Sequence, residues 1–276
     1  MCLQGWQGEL SRRTQSSLAI SGDGRSWVLL NCSPDIREQI GRTGELQPRK
    51  SPRGSPIEAV VLTGAEVDQL GGLLSLREGT PFALLAPEPV FAVLSQNAIF
   101  SVLQHSLVSR HCLDFGPSAK LPGGLSLKCF PVAGKPPLYD EARVGMTTKA
   151  SGHTIGVIVM DGENRSIAYI PSCAEVNDPL RATIASVDAL FFDGTVWTDD
   201  ELIAAGVSEK TGRRMGHLPV SGPDGSLSAL ADVPCPRKYF VHINNTNPLN
   251  CADSSECEAI EREGWSVAWD GLEISL

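Results

Sequence analysis

ALFFDGTVWTDDE at 189–201, TGRRMGHLPVSG at 211–222 and RKYFVHINNTNP at 237–248 are the stretches that decide the fold. Two apolar, β-rich runs, 189–192 and 239–243, break off at polar residues: Asp193 follows the first, and His242 and Asn244 close the second. In layered α/β proteins, ligands bind in the crevice outside the carboxyl ends of strands. The segment therefore offers Asp193, His217 and His242 as candidates for one cleft. The whole chain holds only 5 His, so two in such settings carry information.

Working outward, the 276 residues are 42% hydrophobic, which suits a globular chain with a sizeable core. Charge balances as 23 basic against 32 acidic residues, a net −9, which argues against nucleic-acid and anionic-membrane partners. No apolar run reaches the ~18 residues that span a bilayer. The N-terminus lacks the charged-then-apolar pattern of a secretory signal. Eight cysteines are too few for a disulfide scaffold at this length, and none forms a C-x-x-C pair. Reduced thiols in a cytoplasmic protein follow, with Cys32 and Cys129 as core residues beside strand-like runs.

From the N-terminal end, TQSSLAI and WVLLNC (14–20 and 27–32) flank a Gly-Asp-Gly turn and predict a β-hairpin. Ser33 is placed to cap a helix from Pro34 to Ile40. Residues 41–55 read as an exposed loop, whose Arg42, Arg49, Lys50 and Arg53 suit a solvated segment better than an anion patch. A buried strand over 57–62 leads to a helix over 68–78, and a strand over 82–85 leads to a helix over 89–100. A second hairpin joins 156–160 to 166–170. CEAIEREGW (257–265) is helical, and WSVAWDGLEISL (265–276) predicts a terminal hairpin around Asp270-Gly271. Strands before polar turns in both halves, with helices between, predict one domain, 1–276: two packed β-sheets with helices outside.

A catalytic metal needs about three protein ligands and an open position. Asp68, His242 and either Asp193 or His217 could supply them from separate strand ends, a mixed set suited to zinc, iron(II) or manganese. Bland readings compete at each position. Asp68 precedes an apolar helical run and could be its N-cap. His217 could be a hydrogen-bonded core histidine. Asp199, Asp200 and Glu201 fit dipole compensation at a helix start, and Asn244, Asn245 and Asn247 fit a polar turn.

Taken in order, RTQSS, NCSPDIREQI, SPIEAVVLT…D…GLLSLREG, FFDGTVWTDDE, KTGRRMGH and HINNTNP resemble the coenzyme PQQ synthesis protein B (PqqB) family over essentially the whole chain. That family belongs to the metallo-β-lactamase superfamily. The resemblance implies a four-layer αββα sandwich with two mixed sheets. It also implies a role in pyrroloquinoline quinone (PQQ) biosynthesis. Two molecular roles come with it: iron-dependent hydroxylation of the tyrosine in the Glu–Tyr-derived peptide precursor, or carriage of PQQ or its precursor towards the periplasm. Partners implied are that precursor or PQQ itself, other PQQ biosynthesis proteins and a second copy in a homodimer.

The superfamily's metal motif, T-H-x-H-x-D-H after a strand, stands here as Thr63-Gly64-Ala65-Glu66-Val67-Asp68-Gln69. The resemblance thus implies Asp68, His242 and position 69 as metal ligands, with Gln69 a poorer ligand than the histidine expected there, a departure that tilts the reading towards a carrier or an inactive diverged copy. The bridging aspartate of the superfamily has no counterpart near Pro171-Ser172-Cys173. His217 matches a general-acid histidine and, with Asp193 and Asp68, forms the implied catalytic set. Lys135, Arg213 and Arg214 are candidates for substrate carboxylates at the cleft mouth, with Asn244 and Asn245 as further substrate contacts. The family's N-terminal C-x-C-x-x-C cluster is not matched beyond Cys2, so no structural zinc is expected.

Overall fold

The computed structural model describes residues 2–8, 10–48, 54–77, 79–147 and 149–276. Arg49, Lys50 and Arg53 of the basic loop lie outside the described residues. The first sheet contains β1 (Leu18–Ile20), β2 (Trp27–Leu30), β3 (Ile57–Val61), β4 (Phe82–Ala86) and β5 (Val108–Cys112), in that order. The hairpin expected around Gly-Asp-Gly is present as the antiparallel pair β1/β2, and the other strands run parallel. The second sheet contains β6 (Ala119–Lys120), β7 (Ser126–Pro131), β8 (Ile155–Met160), β9 (Ser166–Ile170), β10 (Ala189–Asp193), β11 (Arg237–Val241) and β12 (Trp265–Val267). Its order runs from β12 back to β6, with β9 to β12 parallel and β6 to β9 antiparallel.

Strand side chains alternate between two faces, and the burial pattern follows that rule. On β10, Ala189 and Phe191 join Val28, Leu30, Ala59 and Val61 in the core between the sheets. Leu190 and Phe192 of the same strand turn outward, against Leu180, Ile184, Cys257 and Ile260 of covering helices. The first sheet is covered in the same way by Ile36, Leu73, Val90, Val93 and Leu94. Helix, sheet, sheet, helix: this is the αββα sandwich. Cys32 and Cys129 are buried within these cores, as expected.

Helix boundaries depart from the sequence reading, each for a local reason. The first runs Ile36–Arg42, because Ser33 uses its hydroxyl to accept the Asp35 N–H and its carbonyl to accept that of Ile36. The helix expected over 68–78 is instead Val67–Leu70 followed by a 3-10 turn, Gly71–Ser75. Gly72 there donates to Cys32 O, and a Cβ on it would stand 2.0 Å from Ser33 O. Asn97 adopts an extended backbone and divides the next helix into Glu88–Gln96 and a 3-10 turn, Ala98–Val102. The terminal hairpin does not form. Trp265–Val267 pairs in parallel with β11, and after the Asp270–Gly271 turn Leu272, Ile274 and Leu276 pack onto the inter-sheet core. Every second side chain of that tail faces the core, and Arg237 and Arg165 hold the carbonyls of Ser275 and Leu276.

Candidate metal centre

The parallel strands β9, β10 and β11 end side by side, and β3 of the other sheet ends nearby, so polar residues past all four meet at one edge of the sandwich. Asp193, the last residue of β10, is fully buried. Its Oδ1 accepts the Thr195 hydroxyl at 2.6 Å and the Thr195 N–H at 3.1 Å. Its Oδ2 accepts the Cys173 N–H at 2.9 Å and His217 Nδ1 at 2.8 Å. The Thr195 hydroxyl, donating to Asp193, is free to accept from His242 Nδ1 at 2.6 Å. One aspartate and one threonine therefore fix the rear edges of both imidazoles.

His242 takes its place by a backbone exception. Just past β11, it has φ +62°, a left-handed conformation that costs a non-glycine residue about 1–3 kcal/mol. Its Nε2 meets Asp68 Oδ2 at 2.5 Å. Burial works against the His242 imidazolium, yet the Asp68 carboxylate prevails and raises it to about 9. Burial likewise opposes ionisation of Asp68, but His242 holds its carboxyl below the ordinary range. His217 follows a 3-10 turn, Arg213–Met215, closed by Gly216 at φ +89°. Asp199 accepts the N–H groups of Gly212 and Arg213 and so anchors that turn.

Asp68 is not the helix N-cap. Glu66 is, and it forms a reciprocal capping box with Gln69, two helix-end donors satisfied at once. Gln69 Oε1 accepts the Glu66 N–H at 3.1 Å, so one lone pair of the amide oxygen expected as a metal ligand serves the helix end, while the side chain still lines the cleft.

Asp68, His217 and His242 line a small open cleft together with Glu66, Lys135, Gln69 and His153. At its mouth the cations are already paired. Lys135 Nζ contacts Glu66 at 2.5 Å and Glu141 at 3.4 Å, and Arg214 holds Glu141 at 2.8 Å. Arg213 turns its guanidinium to the Asp224 carbonyl instead. Asn244 and Asn245, expected as substrate contacts, do not line the cleft. Asn244 bonds Thr246 within a polar turn and Asn245 is exposed. The acidic run after Trp197 is also more than dipole compensation, since Glu201 accepts the Trp197 N–H and the Thr246 hydroxyl.

The beta-lactamase superfamily domain matches residues 26–243. Coenzyme PQQ synthesis protein B of Methylorubrum extorquens (strain PA1) is 47% identical over 281 residues, spanning 100% of this chain and 93% of that protein. Its counterpart in Gluconacetobacter diazotrophicus is 47% identical over 270 residues, spanning 95% of this chain and 88% of that one. The crystal structure of Zn(2+)-bound PqqB from Methylobacterium extorquens superposes with TM-score 0.96 at 46% identity, over 100% of this chain and 92% of that one. The chain belongs to the PqqB family.

It is accordingly a PQQ biosynthesis protein with the metallo-β-lactamase fold. No helix among the described residues is long and apolar enough to cross a membrane. A PqqB metal centre can be tested against the side chains present. Asp68 and His242 offer a carboxylate and an imidazole already in contact across the cleft, donors that suit zinc, iron(II) or manganese. The chemistry fits. Asp193 lies with His217 and His242 in a group whose ligand atoms are all within 4.8 Å. Both its oxygens, however, already accept two hydrogen bonds each, so it positions the imidazoles. Sequence reading missed Thr195 and His153, whereas Asn247 builds the polar turn expected of it, accepting the Leu249 N–H. Asn247, fully buried, bonds the carbonyls of Gly194 and Thr195. Thr195 had one usable signal, a hydroxyl two residues past a strand-terminal aspartate.

Proposed function

We propose that this PqqB chain is a metal-dependent hydroxylase of the tyrosine in the peptide precursor of PQQ, with iron(II) as the working metal. The observation that carries the reading is the pairing of Asp68 with His242 over a cleft, with His242 fixed from behind by Thr195 and Asp193. Asp68 and His242 would hold the metal, and when bound it would supply activation of dioxygen beside the substrate phenol. The balance is one aromatic C–H, one dioxygen, two electrons from an external reductant and two protons in, and one phenol C–OH and one water out. Asp193 keeps the imidazoles oriented at no further rotamer cost, and the buried strand ends limit water behind them. Lys135 and Arg214 border the mouth where an acidic peptide would enter. They reach it only by exchanging the glutamates that now hold them. Carriage of PQQ calls for Arg or Lys at the cleft mouth; Lys135 and Arg214 are paired there with Glu66 and Glu141, and Arg213 turns to the Asp224 carbonyl.

The test is an anaerobic load of iron(II), then dioxygen, a reductant and a tyrosine-containing precursor peptide. The reading requires peptide heavier by one oxygen atom per turnover, lost in His242→Ala. Stoichiometric tight binding of the peptide without any mass change would overturn it in favour of a carrier.

A further inference from the structure

Asp68 and His242 fall one short of the about three protein ligands that a catalytic ion is given, and Gln69, a neutral amide engaged in the capping box, is a poor third. We infer that His217 Nε2 is the third ligand in this chain, so that Asp68, His217 and His242 hold the ion together. The inference rests on the reading that the cleft binds a divalent transition metal.

Gln69 also lines the cleft, but a neutral amide is a weaker ligand than an imidazole, and its oxygen already accepts one hydrogen bond at the helix start. Gln69 is 4% exposed, and the donor to its oxygen is the Glu66 N–H. His217 is prepared for the place. Asp193 is a carboxylate and can only accept, so the proton of a neutral His217 sits on Nδ1 and the Nε2 lone pair is left open. A carboxylate on the rear nitrogen is the usual outer partner of a metal-bound imidazole. Among the described residues no protein group bonds His217 Nε2, and the side chain lines the same cleft as Asp68 and His242. The two rings are 5.1 Å apart between centres, tilted by 33°. His242 is held in the matching way, by Thr195 on Nδ1, which leaves its Nε2 toward Asp68. The competing role, proton transfer by an unligated His217, needs the same Asp193 contact, so only metal binding separates the two.

The experiment is a cobalt(II) titration of the metal-free full chain against a competing chelator, read by the visible spectrum of the bound ion. The wild type should take one cobalt per chain. His217→Ala should weaken binding by at least about a hundredfold, beyond the about 10–100-fold usual for an outer partner. Gln69→Leu should stay within about tenfold of wild type, since it removes a helix cap but no ligand. Wild-type affinity in His217→Ala, or loss of metal in Gln69→Leu, overturns the assignment while leaving a metal-binding cleft intact. No cobalt in the wild type overturns both the assignment and the metal reading. Misfolding of a variant is bypassed by the zinc-loaded wild type with isotope-labelled histidine. Nuclear magnetic resonance should show two rings metallated at Nε2 and protonated at Nδ1, and a single such ring contradicts the assignment.

Discussion

The Asp193 carboxylate accepts four hydrogen bonds from three residues in a fully buried setting. Asparagine, nearly the same shape, would turn an N–H against the Cys173 N–H or against Thr195 and His217. Asp193→Asn is therefore expected to lose about 1–3 kcal/mol of stability, read as a lowered urea midpoint with an unchanged slope. Thr195 offers a cleaner probe, because its hydroxyl touches His242, His217 and Asp193 at once. Thr195→Val should weaken metal binding about 10–100-fold, and Thr195→Ser should restore it, as measured by chelator competition. Much at this scale was legible in the sequence. Asp193 and His242 follow apolar runs, and Asp68 follows another, so strand ends announced them. What a residue touches was not legible. Lys135 and Arg214 read as open cations, yet their partners Glu66 and Glu141 lie 69 and 73 positions away along the chain. Gln69 read as a weak ligand because it stands where the family motif has a histidine, and its bond to the Glu66 N–H, three residues back, was not legible.

Element ends depend on what packs against them, and this is where the sequence reading slipped. Hairpin β1/β2 was legible because its turn chemistry is local, with Asp23 Oδ1 accepting the N–H groups of Arg25 and Ser26. The helix after Asp68 was misjudged because Gly72 presses against the end of β2, a contact that no periodicity encodes. Gly72→Ala should cost about 1–3 kcal/mol or more by overpacking, since its Cβ would meet the Ser33 and Cys32 carbonyls at 2.0 and 2.9 Å. A denaturation curve checks this. The helix Glu141–Val144 is tied to Lys135 of the cleft and to Arg214 by Glu141, whose carboxyl Arg214 and then Lys135 hold below its ordinary range. Glu141→Gln is expected to speed hydrogen exchange of the amides at 143–145 several-fold, an opening cost of about 1 kcal/mol, with β10 amides unchanged. Equal exchange in both proteins would mean the glutamate does not hold this segment down.

At the scale of the whole molecule, the two sheets bring Asp68 from one sheet to His217 and His242 beside the other. An ion held by all three therefore links the two halves of the sandwich. A ligand that binds only the folded chain adds stability by mass action, about 2.7 kcal/mol at a hundredfold excess over its dissociation constant. The four-layer architecture itself was legible from alternating strands and intervening helices. The terminal strand was not, because pairing β12 in parallel with β11 is a long-range choice and the Asp-Gly turn after it is only a local signal. The most direct measurement is the metal content of the purified chain after anaerobic reconstitution with iron(II) and removal of loose ions, beside His242→Ala. The account predicts one iron per wild-type chain and a melting temperature raised by several degrees, with neither in the variant. Wild-type protein that retains no more metal than His242→Ala, and melts at the same temperature with or without iron, would contradict it.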